Sequence, residues 1–213
     1  MNRNLTVLTL SQIFSFTAAP VTVFLSGIIG SQISPLKSLS TLPMSISVLG
    51  IAIGAVIASK LMSIIGRKLG FIVASIGNCL ASIIAAYSIF IQGFYLFCLA
   101  NFFIGVGMAF THQYRFAAAE SVEKNKIPRA ISIILLGGIV SAIIGPAVAN
   151  ISKDLIETYM YVGSYLALSV LTFLPTIFFI FYTNTSKIAF RKSIIEIMLD
   201  CSITMYKFLL IYQ

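Results

Sequence analysis

Charge is scarce in this chain of 213 residues. Six carboxylates and 14 Lys and Arg leave only 9% of it charged. A water-soluble domain carries about a quarter charged residues to cover its surface, so too few are present here to solvate a globule. Chemistry-bearing side chains are as sparse. There is one histidine, with no His-Glu-x-x-His, no Gly-x-Ser-x-Gly with partners and no phosphate-binding loop. That inventory offers no constellation for hydrolysis, metal binding or cofactor binding, so neither an enzyme nor a cofactor is expected. Cys79, Cys98 and Cys201 have no metal or redox spacing and read as small apolar residues rather than a disulfide framework. No acid falls inside an apolar run: Glu120, Glu123, Asp154 and Glu157 lie in links, and Glu196 and Asp200 near the end.

Apolar residues are what remains: 59% of the chain, with a mean hydropathy of +1.02. They come in blocks about 20 long, the length that crosses about 30 Å of hydrocarbon at about 1.5 Å per residue. The runs are continuous rather than alternating, and backbone groups in lipid must bond within their own segment. Helices follow, at about 5–30, 39–64, 70–91, 94–114, 129–150 and 160–182. The first run is too long for a signal-peptide core and no small-x-small site follows it. Gln92 and Gly93 form a link so short that spans three and four must be an antiparallel hairpin. The expected fold class is an all-α membrane protein of six transmembrane helices over residues 1–186, with the lipid bilayer as its solvent. Residues 187–213 read as a cytoplasmic amphipathic tail or truncated linker, with Ile194, Ile197, Met198 and Leu199 as its apolar positions. The apolar stretch in 203–213 is too short to cross.

The net charge of +8 does not point to nucleic acid, because the cations sit in short links rather than in a patch interleaved with aromatics. They do report orientation. Lys60, Arg67 and Lys68 follow span two; Arg115, Lys124, Lys126 and Arg129 follow span four; Lys187, Arg191, Lys192 and Lys207 follow span six. The other side has only Lys37 and Lys153. Cytoplasmic links carry the positive excess, so both termini are expected in the cytoplasm, and the membrane is expected to be the plasma membrane.

Three stretches carry more than hydrophobicity. The link after span two reads Ser59-Lys60-Leu61-Met62-Ser63-Ile64-Ile65-Gly66-Arg67-Lys68. Gly66 suits a tight turn, and Arg67 and Lys68 can bond helix C-terminal carbonyls and acidic groups. Span five contains Gly137-Gly138-Ile139-Val140-Ser141-Ala142-Ile143-Ile144-Gly145-Pro146. Gly138, Ser141, Gly145 and Ala149 form one small-residue face that lets a helix approach, and Pro146 weakens the local ladder. Span four contains Asn101-Phe102-Phe103-Ile104-Gly105-Val106-Gly107.

Together these stretches resemble the major facilitator superfamily of transporters. Members carry Gly-x-Leu-Ala-Asp-Arg-x-Gly-Arg-Arg/Lys at this link; here Gly66, Arg67 and Lys68 match its end, while Ser59 and Ser63 replace its first Gly and its Asp. They also carry a glycine-rich fifth helix ending in Gly-Pro, and a fourth helix with Arg before Gly-x-Gly, where Asn101 stands here. The resemblance covers about 5–190. It implies three-plus-three helices in an inverted repeat, the N-terminal half of a twelve-helix transporter. Gly66–Lys68 would then gate the cytoplasmic face, and Gly138 to Pro146 would pack or gate helix five.

Candidates for a solute path come from polar residues at helical spacing. Asn101, Gly105, Met108, His112 and Arg115 share one face of span four, with Gln113 beside them. Span one offers Gln12 with Ser15, Thr22 and Ser26, and span three Asn78 with Ser75 and Ser82. The plain alternatives are that His112 and Arg115 reach for headgroups, that Asn78 joins helices, and that the serines bond their own carbonyls. Arg115, the one cation on the stripe, favours a neutral or anionic small organic solute. Coupling to protons would need a titratable group within the membrane, and only His112 is available. Three overall readings remain: a half transporter inactive without its C-terminal half, a self-sufficient homodimeric transporter or channel, and a non-transporting scaffold.

Overall fold

The structure, a computed structural model, describes residues 2–156 and 159–183. Eight α-helices make six spans. They are α1 (Arg3–Ser15) with α2 (Ala18–Ile33), α3 (Leu42–Ile65), α4 (Arg67–Phe90), α5 (Phe94–Thr111) with α6 (Tyr114–Glu120), α7 (Ile127–Ser152) and α8 (Val162–Ile180). Each of the six is long and apolar enough to cross a bilayer. The expected span count and fold class therefore hold. Spans one and four, expected as continuous helices, are each broken. The tail expected over 187–213 lies outside the described residues.

The link after span two is shorter than hydropathy indicated. Gly66 alone joins α3 to α4, at φ 86° and ψ 161°. That conformation is open essentially to glycine only, so the Gly of Gly-Arg-Lys is a steric requirement of the turn. Between α4 and α5, Gly93 N donates to Ser88 O at 2.8 Å and Gln92 N to Ile89 O at 3.1 Å, with Gln92 left-handed at φ 57°. This paired return of amides onto the last carbonyls caps the helix and reverses the chain within three residues. Cys79 and Cys98 are free thiols.

In lipid the apolar side chains gain nothing from leaving water, so the spans are held by close packing and interhelical hydrogen bonds. The tightest seam is α3 on α5. A Cβ on Gly50 would lie 2.2 Å from Phe102 O, and one on Gly105 would lie 2.0 Å from Ser47 O. Only hydrogen fits where these backbones meet. The rest of the packing follows a rule. Span two packs on span four and span five on span one; span three packs on four and span six on one; spans three and six pack on each other. Exchanging spans one, two and three for four, five and six maps this set onto itself. Because span four starts at the opposite face from span one, the two triplets are an inverted repeat. Span four is the most enclosed, while spans two and five keep the most exposed apolar surface, including Val56, Ile64, Ile139 and Ile143.

Candidate functional site

The break in span one has a covalent cause. Pro20 has no N–H to give to Phe16 O, four residues back, and its ring crowds that carbonyl. Phe16 O accepts instead from Ala19 N at 3.1 Å, and Thr17 Oγ1 donates to Phe14 O at 2.6 Å. In span four the helix stops at Thr111 and Gln113 N turns back to Phe110 O at 3.0 Å before α6 starts. The two breaks face each other: the Phe16 ring and the His112 imidazole meet edge to face, with centroids 5.6 Å apart.

Beside that contact lies a cavity of about 320 Å³. Its polar wall is Gln12, Thr111, His112 and Arg115, and α7 closes it with Ile134, Leu135, Gly138, Ile139 and Ala142. Gln12 is only 6% exposed, yet among the described residues its buried Oε1 has no hydrogen-bond partner and its nitrogen makes no side-chain bond. A Cβ on Gly138 would sit 3.6 Å from Gln12 Nε2 and 3.9 Å from the Phe16 ring, so the missing side chain keeps the space beside the amide clear. Arg115 lies over the Phe116 ring at 5.1 Å. Among the described residues the ion pairs are Arg67–Glu120 and Glu123–Lys126, and neither involves Arg115.

Of the residues singled out in the sequence, the structure brings Gln12, His112, Arg115 and Gly138 to one cavity. It does not bring Asn78, Asn101 or Gln113 there. Asn101 shares a helical face with His112 but lies eleven residues away, about 16 Å along the axis. Its Nδ2 bonds Phe97 O of its own helix at 2.8 Å, and it sits by Tyr165 of α8. Asn78 points at α5: a Cβ on Gly107 would lie 2.2 Å from its Oδ1. Gln113 serves through its backbone, its carbonyl accepting from Phe116 and Ala117 as α6 begins. In α7, Gly145 faces Pro20 of α2, where a Cβ would approach to 2.8 Å. Ser141 Oγ donates to Gly138 O at 2.7 Å. The helix runs unbroken through Pro146.

A second polar cluster closes the end of the bundle where the cationic links gather. Arg67 Nε donates to Glu120 Oε2 at 2.7 Å, and its Nη2 bonds Glu120 Oε1, making a two-point pair between α4 and α6. Lys68 Nζ donates to Ile180 O, at the end of α8, at 2.7 Å. Asn4 Nδ2 donates to Thr183 O at 2.9 Å while its Oδ1 accepts from Thr183 N and Oγ1. Ser63, which stands where the resemblance has an acid, is exposed and bonds only Lys60 O. The acid of this cluster is Glu120, read from sequence as a link residue. Behind it, Tyr114 is fully buried, bonded to Ser15 Oγ at 3.0 Å and edge-on to Phe71. The seven-residue α6 therefore carries Arg115 at the cavity and Glu120 at the cluster.

Pro20 and the Gly50-x-x-x-Gly54 pair were readable signals of a break and of a close helix contact. Glu120 and Asn4 had none, since their partners are distant in the chain.

Comparison with known proteins agrees with this architecture. A riboflavin transporter, RfnT, of Brucella anthropi is 34% identical over 178 residues, which is 83% of this chain and 45% of the relative. An uncharacterized MFS-type transporter, YdeG, of Bacillus subtilis is 26% identical over 152 residues, 71% of this chain and 35% of that protein. The chain thus spans less than half the length of the curated relatives it matches. No solved structure matches it. The model of the Major Facilitator Superfamily matches residues 5–199. With six spans in an inverted repeat and that match over nearly the whole length, the chain belongs to the Major Facilitator Superfamily.

Proposed function

We propose that residues 1–186 are the N-terminal half of a twelve-helix secondary transporter, which moves a small organic solute across the plasma membrane with both termini cytoplasmic. The solute is riboflavin or a similarly flat heterocycle, after the riboflavin transporter to which the chain is 34% identical. The observation that carries the reading is the cavity between the two broken spans. Irregular backbone at membrane depth persists where it lines a cavity rather than lipid, and broken helices around a mid-membrane site are a transporter's way of presenting polar groups. Gln12, His112 and Arg115 are the groups presented.

The exposed apolar faces of spans two and five are where a second six-helix unit would dock. The Arg67–Glu120 pair and the Lys68 bond to Ile180 O hold spans three, four and six together at the cytoplasmic end, so that this half moves as one body. Alone, with nothing to rock against, it would not transport. Exchange of radiolabelled riboflavin across vesicles is the test, because it is independent of transport direction. The chain joined to the C-terminal six spans of the Brucella relative should exchange, and the chain alone should not. Exchange by the chain alone sinks the half-transporter claim in favour of a self-sufficient dimer. No exchange by the joined protein sinks riboflavin as the solute.

A further inference from the structure

We infer that the cavity recognises its solute by a lactam or imide edge, an adjacent ring N–H and C=O paired with the Gln12 amide. The inference rests on the transport reading and adds the chemistry of recognition to it. A primary amide carries one acceptor and two donors side by side. Buried polar groups in proteins are bonded in the great majority of cases, and each exception needs a cause. Gln12 is such an exception: nine-tenths buried, lining the cavity, and among the described residues bonded through neither its oxygen nor its nitrogen. Asn4, on the same helix, shows what such an amide does when the fold supplies the complement, bonding both a carbonyl and an N–H of Thr183. The ligand that completes Gln12 must supply that same pair.

The surroundings narrow the class. The Phe16 and His112 rings border the cavity, and Gly138 leaves Gln12 Nε2 uncrowded, since a Cβ there would lie 3.6 Å from it and 3.9 Å from the Phe16 ring. Two rings on the wall suit a flat ring better than a branched chain. Arg115, with no carboxylate against it among the described residues, disfavours a cationic solute and accepts a neutral or anionic one. A planar, uncharged or anionic heterocycle with a lactam or imide edge meets all these conditions. Gln12, His112 and Arg115, the groups invoked, all lie on this chain, so the ring is expected to bind without the second half, although transport needs it.

The test is direct binding to the full 213-residue chain in lipid nanodiscs, followed by flavin fluorescence. Lumiflavin offers the imide edge, and N3-methyl-lumiflavin has the same ring with the N–H blocked. The wild-type chain should bind lumiflavin and lose at least about tenfold affinity for the methylated ring, because a site built to hydrogen-bond a group rejects an analogue lacking it. Gln12→Leu should bind both equally. Equal binding of the two rings by the wild-type chain, or discrimination surviving in Gln12→Leu, overturns this inference and leaves the transport reading standing. Binding of neither ring by the wild-type chain overturns this inference, and the transport reading then stands or falls with exchange by the joined protein. The first comparison changes only the ligand, so it holds even if the variant fails to fold.

Discussion

Two amides on the first span have opposite surroundings. Asn4, at the cationic end, closes a three-bond ring with Thr183, next to a cluster in which Arg67 meets Glu120 and Lys68 meets Ile180 O. Gln12, two turns deeper, meets no partner among the described residues, and Arg115 beside it meets no acid among them. Asn4, Arg67 and Lys68 at the end have complements elsewhere in the chain, while Gln12 and Arg115 at the cavity have none among the described residues. Groups of the first kind stabilise a structure. Those of the second kind lower stability and are retained where a ligand uses them.

The largest way to break this contrast is at the ion pair. Glu120→Ala leaves a largely covered Arg67 without its carboxylate, and should cost about 1–3 kcal/mol, less than a fully buried pair because both partners keep some exposure. For a chain of this size that is roughly 2–12 °C of melting temperature in detergent. The double variant Arg67→Ala/Glu120→Ala should lose less than the sum of the singles, and strict additivity would mean the pair contributes nothing. Next comes Asn4→Ala, which orphans the Thr183 amide and should cost about 1–2 kcal/mol. An unchanged melting temperature would show that the ring of three bonds carries no stability.

At the cavity the same measurements should reverse. The Cβ of Gly138→Leu meets only ordinary contacts, 3.6 Å from Gln12 Nε2 and 3.9 Å from the Phe16 ring, so stability should shift by less than about 1 kcal/mol, whereas flavin binding should disappear because the cavity is filled. Retained binding in a folded Gly138→Leu chain would place the solute elsewhere. The smallest effect is expected for Gln12→Leu, which removes an unpaired buried amide. Its stability should stay level or rise by up to about 1 kcal/mol, since no bond is broken and a desolvated polar group is removed. A loss as large as that of Asn4→Ala would mean that Gln12 is structural after all.

Much of this was legible in the residues. Span number follows from run length against hydrocarbon thickness, and the grouping of cations at one end from counting. Gly66-Arg67-Lys68 was read as a turn with cations that bond carbonyls and acids, and the bonds to Glu120 and Ile180 O are of that kind. Legibility failed where an argument needed depth or a distant partner. The span-four stripe placed Asn101 and His112 on one face, but periodicity gives an angle around the helix and not a height along it. Asn101 therefore lies against Tyr165 while His112 reaches the cavity. The small-residue face of span five was visible; that its partner is span one, through Gln12, Phe16 and Pro20, was not.

By itself, then, the sequence determined that these helices exist and which of their faces are small or polar. Those properties are local: a helix in lipid satisfies its own backbone, and an apolar run needs no information from elsewhere to be apolar. Only the tertiary structure decided which polar groups are satisfied. Whether an amide is a strut or a receptor depends on what stands opposite it, and for both Asn4 and Gln12 that is set by the packing of spans far apart in the chain.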